Sequence, residues 1–175
     1  MSQQKTKSSN GCYIALGVAG GVAILLLVLA VMAWSWMTAV MEGPTDVVVT
    51  VDAPLTATIG QSFEIRVVIE NTATETQSLN SIDLYDSYLE GIEITSTEPP
   101  FDEASSLFGF TSYYYETDIP AGQTIEVVLT AMPLRAGDFR GDLDVCINTE
   151  YTFVTHVVRT SVDAASSSPT PPANP

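Results

Sequence analysis

The chain divides where the spacing of its apolar residues changes. From Ile14 to Val40 no residue is charged and nearly all are apolar, whereas beyond residue 45 apolar and polar residues alternate in short runs. Wound as a helix at ~1.5 Å per residue, the first run exceeds the ~30 Å of a bilayer's hydrocarbon core. Tyr13 stands at one edge of it and Trp34 and Trp36 at the other, where amphipathic rings favour the headgroup level. The pattern therefore predicts a single transmembrane helix over 13–41, after a short N-terminus, 1–12. Glu42-Gly43-Pro44 ends that helix and opens a linker, 42–45.

Period-two alternation over the rest predicts strands. Val47 to Val51 is the first. In the next, Phe63, Ile65, Val67 and Ile69 alternate with Glu64, Arg66, Val68 and Glu70, giving one apolar and one mostly polar face. Ile82 to Tyr85 and Ile92 to Thr95 are shorter strands around Glu90-Gly91, and Phe108 to Tyr115 is an aromatic one. Turns at Ile119-Pro120-Ala121-Gly122 and Arg135-Ala136-Gly137-Asp138 lead into two inward rows. These are Ile125, Val127, Leu129 and Ala131, then Leu143, Val145 and Ile147, the latter opposed by Asp142, Asp144, Cys146 and Asn148, with Asp142 and Asp144 expected on a solvated face and Cys146 half-buried. Tyr151 to Val162 mixes its faces, which predicts a bulge. Seven or eight strands with no helical stretch predict an all-β antiparallel sandwich over 46–162, a barrel being the lesser alternative. The segment 163–175, rich in Ser and Pro, predicts a disordered tail.

Charge sets an orientation. Lys5 and Lys7 precede the apolar run, while all 21 acidic residues and only Arg66, Arg135, Arg140 and Arg159 follow it, for a net charge of −15. Lysines favour the cytoplasmic side, so the N-terminus is expected inside the cell membrane and the acidic domain outside it. A cleaved signal peptide competes, with Val31-Met32-Ala33 as its processing site, but the apolar run is longer than the ~7–15 residues such a peptide carries. The acidic field repels nucleic acid and anionic headgroups. Cys12 and Cys146 fall on opposite sides of the bilayer and form no disulfide, so the domain must hold by core burial alone.

Chemistry-bearing residues are sparse. His156, the one histidine, has no nucleophile motif beside it, and a general base needs one in reach, so no catalytic residue is assigned and no enzyme is expected. One histidine and one outer cysteine cannot build a zinc site, and no phosphate loop occurs. Asp138, Asp142 and Asp144, or Asp102 and Glu103, could offer oxygen to calcium, but without EF-hand spacing; the expectation is no metal and no cofactor. Arg140-Gly141-Asp142 enters a strand and is discounted as an adhesion tripeptide. Two partner surfaces remain as candidates. Gly17 and Gly21, with Ala19 and Ala23, would let a second transmembrane helix approach closely. Tyr113, Tyr114 and Tyr115, beside Glu116 and Asp118, would suit a cell-surface protein, Tyr114 facing opposite to its neighbours.

Gly60-Gln61-Ser62-Phe63-Glu64-Ile65-Arg66-Val67-Val68-Ile69-Glu70-Asn71, Ile119-Pro120-Ala121-Gly122-Gln123 and Gly137-Asp138-Phe139-Arg140-Gly141-Asp142-Leu143 together resemble the strand and turn signatures of immunoglobulin-like domains in bacterial and archaeal surface proteins, adhesion-related ones included. The resemblance spans Asp46 to Val162 and implies an immunoglobulin-like sandwich in an extracytoplasmic setting; it carries over no functional residue. The expected function is a membrane-anchored, extracytoplasmic, non-enzymatic binding or structural module whose partners are the lipid bilayer and either a transmembrane helix or a cell-surface protein. The alternative is a pilin-like subunit of a surface filament, since Lys7-Ser8-Ser9-Asn10-Gly11 before an apolar helix and a β-domain is similar to a prepilin.

Overall fold

The computed structural model describes residues 24–35, 43–44 and 46–164. Residues 24–35 form a helix, α1, with every residue exposed. Its run of leucines favours helix because an unbranched Cβ loses little rotamer freedom there. Among the described residues no helix is long and apolar enough to cross a membrane. The rest of the expected span, 13–23 and 36–41, lies outside the described residues, and with it Gly17, Ala19, Gly21 and Ala23. Cys12 and most of the expected tail, 165–175, lie outside them too.

The second unit is an all-β sandwich. Its strands are β1 (Val47–Asp52), β2 (Thr56–Thr58), β3 (Phe63–Asn71), β4 (Gln77–Tyr85), β5 (Ile92–Glu98), β6 (Glu103–Leu107), β7 (Phe110–Ile119), β8 (Thr124–Pro133), β9 (Gly137–Ile147) and β10 (Phe153–Asp163), with one helical turn, α2 (Asp86–Leu89), after β4. A four-stranded sheet runs β1-β3-β8-β5 and a six-stranded sheet runs β2-β10-β9-β4-β7-β6. Every pairing is antiparallel except β2 with β10.

The core follows from the alternation. Ile65, Val67 and Ile69 of β3 and Val127, Leu129 and Ala131 of β8 are fully buried, as are Leu79, Ile82 and Leu84 of β4 and Leu143, Val145 and Ile147 of β9. They belong to one apolar cluster, in which each large aliphatic side chain contributes ~1.5–3 kcal/mol relative to exposure. Asn71, the one side-chain amide buried among the described residues, is satisfied on every side. Its Nδ2 donates to the carbonyls of Ile119 at 2.7 Å and Glu75 at 2.9 Å, and its Oδ1 accepts from the Ala73 N–H at 2.9 Å. The Ile119 bond joins β3 of one sheet to β7 of the other.

Several expectations change, each for a local reason. β4 begins at Gln77, well before Ile82, because a register shift between Leu79 and Ser81 breaks the phase of its inward row. Edge strand β6 is exposed along its whole length, so it has no apolar row to read. The aromatic strand starts at Phe110, since Phe108 (φ 56°) and Gly109 (φ 92°) form the turn before it. β10 pairs with β9 from Phe153 to Val162 without a shift, so the expected bulge is absent; its mixed faces reflect the exposed outward Phe153 and Val157. The helical turn α2, too short to show a period, buries Tyr88. Gly141 lets it approach, as a Cβ there would lie 2.9 Å from Tyr88 Cβ and 3.1 Å from Tyr88 N.

Candidate functional site

Directly paired residues on antiparallel strands share a face, so the registers lay out the outer surface of the six-stranded sheet. Tyr114 of β7 sits between Ser81 of β4 and Glu103 of β6. Ser112 sits between Asp83 and Ser105, and Phe110 between Tyr85 and Leu107. Beyond β4 the same face continues through Cys146 and Asp144 of β9, opposite Ser81 and Asp83, to Phe153 and Thr155 of β10. Of the three tyrosines, Tyr113 and Tyr115 are buried at 7% and 4% exposure, and only Tyr114 lies on this outer face.

The row opposed to the core side of β9 is sunk in its middle, at Asp144 and Cys146, while Asp142 is half-buried and Asn148 exposed. β9 has neighbours on both sides, and Asp144 is 6% and Cys146 1% exposed. Burial pushes the Cys146 thiol up to about 12, and the carboxylates of Asp83 and Asp144 add to the rise. It donates a long hydrogen bond, 3.6 Å, to Asp83 Oδ2. Burial also raises the Asp144 carboxyl above the ordinary range, helped by the charges of Asp83 and Asp142. One oxygen of each of Asp83 and Asp144, Oδ1 in both, is enclosed without a hydrogen-bond partner. Asp138, by contrast, is engaged by Arg159, whose Nε and Nη2 donate to it at 2.8 and 2.6 Å. Among the described residues no group of three acidic, histidine or cysteine side chains is placed to hold a metal ion. His156 faces inward opposite Leu143, with its Nε2 enclosed and without a partner.

Two hollows open on this face. The first, of about 350 Å³, has Ser81, Asp83 and Ser112 on its floor and Leu107, Phe108, Phe110 and Tyr114 on one side. Glu150 and Tyr151, from the hairpin between β9 and β10, close the other side. The second, of about 470 Å³, adjoins it through the shared residues Ser105, Tyr114 and Glu150 and adds Asp102, Glu103 and Glu116. Together they make one trough, aromatic at one end and acidic at the other, with Tyr114 in its middle. Sequence reasoning singled out Tyr114 beside Glu116, and Asp102 with Glu103 for another ligand, but missed Ser81, Asp83, Glu150 and Tyr151, because these meet Tyr114 only through the long-range β4–β7 and β4–β9 pairings.

No protein-family model matches the sequence, and no curated relative matches it either. Solved structures with a related fold exist. A cohesin module from a Clostridium perfringens family 33 glycoside hydrolase shares 13% identity over 70% of this chain and 100% of its own, at a TM-score of 0.49. The native conformation of Escherichia coli α2-macroglobulin shares 12% identity over 70% of this chain but 7% of its own length, at a TM-score of 0.48. The cupredoxin domain of amoB from Nitrosocaldus yellowstonii shares 11% identity over 76% of this chain and 97% of its own, at 0.45. At these values no activity or ligand passes to this chain from any of them.

Proposed function

We propose that this chain is a non-enzymatic binding module of the immunoglobulin-like kind, held at a membrane by residues 13–41 with its β-sandwich on the extracytoplasmic side. The observation that carries the binding reading is the trough centred on Tyr114. It is a concave, partly apolar surface with a few polar groups converging on it, the usual form of a recognition site. Against catalysis stands the inward orientation of His156 and the sunken thiol of Cys146, which keep the imidazole and a reactive thiolate out of the trough. The anchor is supported by the uncharged run Ile14 to Val40, its flanking aromatic residues, and the lysines before it.

The test is a photo-crosslinking amino acid placed at position 114 in cells of the protein's source, with position 66 on the outer face of the other sheet as control. A covalent adduct at 114 and none at 66 is expected. No adduct at 114, or equal labelling at both positions, would end the reading of this face as the partner surface. Protease added outside the same cells should digest the β-unit and spare the N-terminal lysines, and a protected β-unit would reverse the topology.

A further inference from the structure

We infer that the trough binds an extended cationic peptide of a partner protein, with lysine or arginine at its carboxylate end and a neighbouring apolar side chain at its aromatic end. This rests on the binding reading above and specifies its partner. The charge of the lining is one-sided: Asp83, Asp102, Glu103, Glu116 and Glu150 contribute carboxylates, and no lysine, arginine or histidine lines either hollow. Arg140 and Arg159 share this sheet face but lie four or more residues down the strands from Asp144 and its partner Thr155, about 13 Å at ~3.3 Å per residue. At the floor, the Asp83 oxygen without a partner sits directly across from the buried Asp144, whose own Oδ1 has none. A cation drawn into the trough would meet the carboxylates of Asp83, Asp102, Glu103, Glu116 and Glu150, which no basic side chain of either hollow neutralises.

The other end is apolar and held open. Phe108, Tyr151 and Leu107 are 87%, 68% and 58% exposed around one mouth, although each would gain by burial. Among the described residues the three non-glycine residues with positive φ, Phe108, Glu116 and Asn148, all lie at this trough or at the root of the hairpin that closes it. Such conformations are uncommon for bulky side chains and persist where the surroundings impose them. The occupant is extended because the two hollows follow one another along β7, from Phe110 and Ser112 through Tyr114 to Glu116, about 20 Å of strand at ~3.3 Å per residue. An anionic lipid surface or a nucleic acid would be repelled by the same carboxylates, and a second copy of this chain brings a net charge of −15 to them.

The experiment uses the full-length, isotope-labelled chain in zwitterionic detergent micelles. Two blocked pentapeptides serve as probes, one of sequence lysine-phenylalanine-lysine-leucine-lysine and the other with glutamate in place of each lysine. The cationic peptide should bind saturably, move the amide resonances of Ser105, Ser112 and Tyr114, and lose affinity as salt shortens the Debye length. Glu103→Gln with Glu150→Gln, both exposed and unchanged in size, should weaken it by about tenfold or more, and Phe108→Ser should weaken it without altering the salt dependence. Unchanged affinity in the Glu103→Gln/Glu150→Gln protein, or shifts confined to other surfaces, would overturn the proposal. Binding of the glutamate peptide in the trough would overturn the cationic assignment and leave the binding reading standing. If neither peptide perturbs the trough the proposal falls, and the crosslink at position 114 then decides the broader reading by itself.

Discussion

The contact between Tyr88 and Thr160 makes an asymmetric prediction. The two hydroxyls lie 2.9 Å apart and both residues are fully buried. Thr160 Oγ1 also donates to the Pro54 carbonyl at 2.9 Å. A hydroxyl has one proton, so Thr160 must accept from Tyr88, and the order of donation is Tyr88 to Thr160 to Pro54. Tyr88→Phe removes the first donor and leaves Thr160 still paired to Pro54, for a loss of ~1 kcal/mol. Thr160→Val strands a buried phenolic O–H and a carbonyl together, for ~2–3 kcal/mol, because an unmade buried bond costs the full desolvation of each group. In the double variant neither hydroxyl remains, so it should cost no more than Thr160→Val alone. The assay is urea unfolding of residues 46–164, where a slope of ~2 kcal/mol/M turns each 1 kcal/mol into a midpoint shift of ~0.5 M. Additivity of the two single variants to within ~0.3–0.5 kcal/mol would refute the relay.

Two further predictions concern the sunken outer row of β9. The Asp144 carboxyl is raised above its ordinary 3.8, first by burial and then by Asp83 and Asp142, with Thr155 and Tyr85 hydrogen-bonding against the rise. The folded state therefore binds more protons than the unfolded one from pH 3.8 upward, and this group's contribution to stability falls as pH rises through that window. Asp144→Asn, whose amide would also offer Asp83 a donor, should melt higher than the parent at neutral pH and lose that advantage below about pH 3; a lower melting point at neutral pH would show that the charge is compensated. The Cys146 thiol, pushed up to about 12 by burial, should resist iodoacetamide in the folded chain and react once urea unfolds it, and labelling of the native form at the rate of a free thiol would contradict its burial.

What the sequence disclosed tracks how local each signal is. The inward rows of β3, β8 and β9 were legible because a strand between two neighbours buries every second side chain, and Ile65, Val67, Leu129 and Val145 do so without interruption. β6 was not legible, since Glu-Ala-Ser-Ser-Leu on a sheet edge buries nothing. β4 was half legible because the shift at Asn80 moves the alternation by one position. The burial of Asp144 was misjudged, and that of Cys146, expected half-buried, underestimated, for a different reason. Alternation says which face a residue takes but not how thickly its neighbours cover that face, which depends on strand order. The candidate site was legible at Tyr114 and Glu116, near neighbours on one strand, whereas the partners that shape it from β4, β6 and the β9–β10 hairpin are joined to them by no short-range pattern.

The parallel pairing of β2 with β10 also has a mechanical meaning. Three residues, Ala53 to Leu55, carry the chain from β1 in the four-stranded sheet to β2 in the six-stranded one, so the start of the sandwich is fastened to both sheets. Thr56 to Thr58 run alongside Ser161 to Asp163, and backbone bonds from Ser161 N to Leu55 O at 2.9 Å and from Ile59 N to Asp163 O at 3.1 Å close the two ends of that pairing. Tension applied between the two termini pulls β2 by its leading end and β10 by its trailing end. Two parallel strands drawn this way slide along their common axis, so the bonds between them are loaded together in shear instead of opening one after another. A sandwich stretched by its two ends would thus yield late and abruptly, with its last strand held by one of its first, and stretching single molecules from both ends would register one high-force event where unzipping would give a low plateau.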